Sequence, residues 1–171
     1  PTRRSSDLLG EGLGFTGPLR FGPLLPDGSF LLAVRDPRSH VARLFDGRGG
    51  GRVRDLGLRV ECVAFSPDGR RLACGATSHG VAVVDVASGT VCWSKQLSER
   101  ATQWTNAISF SHDGSEVVAA LSGRVVRFDA ATGAECGEVG TVGTDVRSVL
   151  ALADGGAVVG EIHTECLAID R

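Results

Sequence analysis

The chain contains no methionine and no tyrosine, and only one lysine, one asparagine and three isoleucines among 171 residues. Lys, Asn, Ile and Tyr are encoded largely by AT-rich codons, so the coding DNA is expected to be GC-rich, which points to a bacterial gene. With no Met, the protein's natural start is expected to lie outside this sequence. No apolar run approaches the ~18 residues a membrane span needs, and the polar, Arg-rich start has no signal-peptide core. A membrane is therefore not an expected partner. Five cysteines occur, Cys62, Cys74, Cys92, Cys136 and Cys166, an odd number without C-x-x-C spacing. That pattern argues against a zinc site or a redox pair. It fits small buried hydrophobes in a reducing compartment, with the cytoplasm as the expectation. An excess of one charge is lacking as well. The net charge of −2 gives no overall field that would call for nucleic acid.

The charge is unevenly placed. Residues 1–59 carry ten Arg against six acids, a net of +4, and residues 60–171 carry a net of −6. Part of the basic excess lies in residues 1–8, PTRRSSDL. These letters match the translation of a short-read sequencing adapter and are set aside from the domain. Residues 9–17 form a Gly-rich loop. It contains G-x-G-x-x-G at Gly12, Gly14 and Gly17. A dinucleotide site would need a strand before this motif and a helix after it, whereas Pro18 and a strand follow. No cofactor is expected.

What is abundant is repetition. Asp-Gly recurs at Asp27-Gly28, Asp68-Gly69, Asp113-Gly114 and Asp154-Gly155, at spacings of 41, 45 and 41 residues. Asp-Gly between apolar runs is a strong hairpin signal, because Gly takes a positive φ at little cost. A second beat is kept by an Asp that closes an apolar run, at Asp46, Asp85, Asp129 and Asp170. In the middle two units it opens a turn, Asp85-Val86-Ala87-Ser88-Gly89 and Asp129-Ala130-Ala131-Thr132-Gly133. Short apolar runs fill the intervals, and no stretch has helical periodicity with caps. Four short antiparallel strands per ~40–45 residues describe one blade of a β-propeller. The expected fold is all-β, a propeller fragment of about four four-stranded antiparallel blades. Their limits are 18–58, 59–97, 104–139 and 146–171, the last blade is incomplete, and the ring is open rather than closed. A parent with six to eight blades would need roughly 250–350 residues for them.

Residues 60–93 read VECVAFSPDGRRLACGATSHGVAVVDVASGTVCW. This resembles the WD-repeat family, with its V-x-x-V-x-F-S-P-D-G start and D-x-x-T/S-G turn. Residues 106–136 match again through NAISFSHDG and VVRFDAATGAEC, and residues 18–58 and 146–171 match more loosely. The chain departs from the family pattern in having no Trp-Asp dipeptide. That slot holds Phe45-Asp46, Val84-Asp85, Phe128-Asp129 and Ile169-Asp170. The Gly-His pair is absent too, so the family's Ser/Thr-His-Asp-Trp network has no counterpart here. Ser88-Gly89-Thr90-Val91-Cys92-Trp93 also resembles the T-G-x-x-x-W repeat end of quinoprotein-like propellers, although Gly137 fills the equivalent Trp slot one repeat later.

The WD-repeat resemblance implies a non-enzymatic scaffold with protein partners, in which loops on rigid blades make the contacts. The alternative is the propeller part of an enzyme, a quinoprotein-like or lactonase-like hydrolase, or an array appended to a kinase. No residue is expected to be catalytic, since the turn Asp side chains accept backbone hydrogen bonds and Ser66 lacks a G-x-S-x-G setting. His40, His79 and His163 fall at the turn between second and third strands, which the resemblance places on one face. Equivalent turns of adjacent blades are too far apart to share a metal at ~2.1 Å ligand distances. Arg100 and Trp104, in the loop from Leu97 to Asn106, are residue types enriched at binding hot spots. The candidate interaction face is therefore Arg100, Trp104, His40, His79 and His163. Deleting residues 1–8 is expected to leave the thermal midpoint unchanged. A destabilisation above about 1 kcal/mol would make that segment part of the domain.

Overall fold

The computed structural model describes residues 19–24, 30–36, 38–46, 52–76, 80–97, 105–121, 123–142, 146–161 and 167–169. These residues contain fourteen strands and no helix. In chain order they are β1 Leu19–Phe21, β2 Leu31–Arg35, β3 Val41–Asp46, β4 Arg52–Phe65, β5 Arg71–Ala76, β6 Gly80–Asp85 and β7 Val91–Gln96. There follow β8 Thr105–Phe110, β9 Glu116–Leu121, β10 Arg124–Asp129, β11 Glu135–Thr141, β12 Val146–Ala151, β13 Ala157–Glu161 and β14 Leu167–Ile169. Every pairing is antiparallel between neighbours in sequence. The result is all-β with open antiparallel sheets, as the strand pattern of the sequence implies.

The first two repeats are joined by β4. Its first half pairs with β3 and its second half with β5, which makes one seven-stranded run, β1 to β7. The sequence reading places a boundary at residues 58 and 59, inside this strand. The reason for continuity is local. Leu56 and Val60 are buried and Leu58 half-buried, while Asp55, Gly57 and Arg59 are exposed, so the period-2 alternation never breaks. Gly57, at φ 68°, takes up the register shift opposite β3 as a bulge. With the two halves of this run counted as the first and second sheets, the third has the order β11-β10-β9-β8, and the fourth is β12-β13-β14.

The core lies between sheets rather than within any of them. Alternate residues of one strand face opposite neighbours. On β5, Leu72 and Cys74 join the first-to-second cluster with Leu44, Val60 and Val84, and Ala73 faces the other way. On β9, Val117 and Ala119 join Val83, Ile108 and Phe128, whereas Val118 and Ala120 join Val146, Val149 and Val159. Middle strands such as β6 and β9 are buried on both faces, which is why they read as unbroken apolar runs. Outer strands β7 and β11 are mostly exposed and mixed in polarity.

Turn chemistry repeats with the strands. Ser66 Oγ donates to Asp68 Oδ1 at 2.6 Å and accepts from the Arg71 amide at 2.9 Å. Ser111 does the same with Asp113 at 2.7 Å and the Glu116 amide at 2.9 Å. Gly69 and Gly114 sit at φ 71° and 74°. In the fourth sheet Leu152 takes the Ser position, and Asp154 keeps a bond from the Gly156 amide at 2.9 Å. Asp27-Gly28 lies outside the described residues, as do residues 1–18.

A second device links successive sheets. Arg54, opposite Leu44, donates to the carbonyls of Ala87, at 2.9 Å, and Ser88 in the next repeat's turn. Trp93, opposite Val83, donates from Nε1 to the Ala130 carbonyl at 3.0 Å. Arg71 reaches the same carbonyl at 3.0 Å. Each clamp presses on a turn glycine. A Cβ on Gly89 would lie 2.5 Å from Arg54 Cδ, and one on Gly133 would lie 2.6 Å from Trp93 Cδ2. The third sheet has Gly137 at the clamp position, opposite Arg127. Replacing half-buried Trp93 with Ala is expected to cost about 2 kcal/mol. Gly133→Ala should cost at least about 1 kcal/mol from its φ of 72°. Because removing the indole makes room for the new methyl, the double variant should lose less than the sum, read from urea midpoints.

Candidate functional site

Antiparallel topology sorts the connections between two ends of the array. One end holds the turns β4–β5, β6–β7, β8–β9, β10–β11 and β12–β13. The other holds the β2–β3 turn, which carries Asp36 and His40.

The first end is rich in carboxylates, and each is held by its own turn. The Ser111 hydroxyl, with the Ser115 amide and hydroxyl, lowers the Asp113 pKa to about 2. Asp68 is lowered chiefly by the Ser66 hydroxyl, Asp85 by the Ser88 amide and Asp129 by the Thr132 hydroxyl. Between the second and third sheets is a cleft of about 380 Å³ bordered by Asp68, Arg71, Asp85 and Asp113. Between the third and fourth sheets is one of about 290 Å³ bordered by His112, Asp113, Glu116, Arg127 and Asp154. A general acid or base works best with a pKa near the operating pH. Asp68, Asp85, Asp113 and Asp129 are shifted the other way, so their geometry suits turn locking.

Arg127 breaks the repeat. It occupies the position of Leu44 and Val83 and is 8% exposed, with Nη1 at 3.2 Å from both Glu116 oxygens. Glu116 stands where Arg71 stands one repeat earlier. A buried pair of this kind contributes little net stability, but removing one partner strands the other charge.

At the opposite end is the described member of the expected interaction face, His40. It is the one non-glycine residue with positive φ, 61°, among the described residues. Its amide donates to the Asp36 carbonyl at 2.9 Å, and its carbonyl accepts from the Val60 amide at 2.8 Å, which ties the turn to β4. The ring Nδ1 lies 2.7 Å from Arg35 Nη1 and 3.2 Å from Glu61 Oε1. Arg35 Nη1 also donates to Glu61 Oε2 at 3.0 Å. Beside this cluster Arg43 bridges Asp36 at 2.5 Å and Asp55 at 3.1 Å. The Ser39 and Arg38 amides bring Asp36 down to about 2. His79, His163, Arg100 and Trp104 lie outside the described residues, so their relation to His40 is not part of this site.

The thiols Cys62, Cys74, Cys92 and Cys136 are free. Burial pushes Cys62 up to about 12 and raises Cys74 as well, so neither is a ready nucleophile. Among the described residues no three His, Cys, Asp or Glu side chains are grouped to hold a metal. Sequence reasoning missed the Arg127–Glu116, Arg35–Glu61 and Arg43–Asp36 ion pairs. The one signal for Arg127 was a charge in an otherwise apolar run, VVRF.

No family model matches the chain, and no curated protein does. Among solved structures it is similar to hydrazine synthase from Kuenenia stuttgartiensis, with a TM-score of 0.69 and 23% identity. The match covers 94% of this chain and 48% of that one, so the chain spans about half the length of the solved chain. At this identity the likeness shows the fold alone.

The depressed Asp113 pKa fixes a sign. The carboxyl is ionised in the fold down to about pH 2 and normally titrates near 3.8. Its contribution is therefore present above pH ~4 and lost as pH falls through ~2. Asp113→Ala should melt below wild type at pH 6, and the gap should close on acidification to pH 2. A gap that stays constant with pH would assign the loss to the turn's shape rather than its charge.

Proposed function

We propose that the four sheets are successive blades of a divergent WD-repeat-like β-propeller, and that this array is a protein-interaction scaffold within a larger protein. The observation that carries the reading is the repeated clamp. Arg54 and Trp93 differ in charge and shape, yet each donates an N–H to a carbonyl of the next repeat's Asp-to-Gly turn and holds it against its neighbour. Such a frame is rigid, and rigid frames that carry variable loops suit recognition. The similar solved chain is itself a β-propeller-containing protein, which supports the blade reading. Trp93 also bears on the quinoprotein-like alternative. Its indole is engaged with Ala130 and Gly133, and Arg54 does the same task one sheet earlier, so the T-G-x-x-x-W likeness has a structural explanation without a cofactor.

The partner is a protein that contacts Arg100, Trp104, His40, His79 and His163. Cross-linking of the full-length protein in its own cells would identify it, and purified components would give the affinity. Arg100→Ala and Trp104→Ala should each weaken binding at least tenfold with the thermal midpoint unchanged. Unchanged affinity in both variants, or turnover of lactone or ester substrates by the isolated full-length protein, would overturn the scaffold reading. Electron microscopy of that protein should show a ring with a central channel. Sheets stacked without closure would overturn the propeller.

A further inference from the structure

We propose that Arg35, His40 and Glu61 form a proton-operated exchange of partners at the β2–β3 turn. The argument starts from what each atom can do. A guanidinium only donates, so the 2.7 Å contact from Arg35 Nη1 makes His40 Nδ1 an acceptor. A neutral ring in this pairing carries its proton on Nε2. The same Nδ1 is 3.2 Å from Glu61 Oε1, which also only accepts. In the neutral state that second contact is lone pair against lone pair. A proton on Nδ1 reverses both relations. Nδ1 becomes a donor to Glu61 Oε1, and Arg35 faces a like charge in place of its acceptor. Glu61 Oε2 remains its one carboxylate partner, and its buried Nε has no partner among the described residues.

The surroundings allow the exchange to report outward. Arg35, His40 and Glu61 are 21%, 31% and 18% exposed at their side chains, so water supplies the proton without opening the fold. Each element around the cluster carries charged groups. These are Arg20 on β1, Asp36 and Arg38 in the turn, Arg43 on β3, and Asp55 and Arg59 on β4. Asp36 and Asp55 are bound to Arg43, and Arg20 borders the same small cavity as Arg35 and Glu61. Protonation therefore adds one positive charge to a corner where Arg38 and Arg59 are already exposed. The backbone is fixed there by the bonds of His40 to Asp36 and Val60, so the change is in side-chain pairing.

Long-range ¹⁵N–¹H spectra of the histidine ring, followed from pH 9 to pH 5, test this on the unmodified protein. His40 is expected as the Nε2–H tautomer at high pH, and the Glu61 carboxyl carbon should shift with the same midpoint as the ring. Glu61→Gln should lower the ring's proton affinity at least threefold, and Arg35→Gln should raise it at least threefold, because each removes one of the two opposed charges. An Nδ1–H tautomer at high pH would overturn the proposal even if neither variant folds. So would a Glu61 carbon that does not follow the ring, or midpoints equal to wild type in both variants.

Discussion

The constraint on which this architecture depends is that a β-strand faces two ways. Its residues alternate, and the middle strands here are apolar on both sides. One four-stranded sheet of ~40 residues has no means of burying either face alone. Each sheet needs a neighbour on each side, and the three apolar clusters are the places where this need is met. Aliphatic side chains dominate them, and the aromatic Phe128 is the largest wholly buried side chain of the central cluster. Stability in such an array belongs to interfaces more than to units.

Polar groups then fix how the sheets meet. The turn aspartates order their own loops, and the turn glycines serve twice. Their positive φ closes the turn, and their missing Cβ admits the clamp from the sheet before. The double duty explains why the Asp-to-Gly turn persists where the strands around it drift. At the third-to-fourth junction the pattern loosens. Gly137 stands in the clamp position, and the Arg127–Glu116 pair replaces aliphatic contact. That junction relies on a buried ion pair whose net value depends on geometry more than on the charges themselves.

The two ends of the array thus differ in character. One is a row of aspartates committed to backbone and hydroxyl donors, ionised far below neutrality. The other carries Arg35, His40 and Glu61, which pair across residues distant in sequence. We place the proposed recognition function at this second end.

The sequence by itself determined the class of fold and its beat. Asp-Gly pairs at 41- and 45-residue spacings, short apolar runs and the second Asp marker are local signals, and hairpin geometry is a local matter. Hence the turns at Asp68, Asp113 and Asp154 and the strands around them were legible. The expected boundary at residues 58 and 59 falls within β4, beside the point where its pairing passes from β3 at Arg59 to β5 at Val60. Only the tertiary structure decided which side chains meet. Arg54 and Trp93 are equivalent only through their places opposite Leu44 and Val83, and nothing in their chemistry announces it. Arg35, His40 and Glu61 are separated by up to 26 residues and meet because β4 runs beside β3. A hydrogen bond depends on direction and on tenths of an ångström, and such geometry exists only once the sheets have packed.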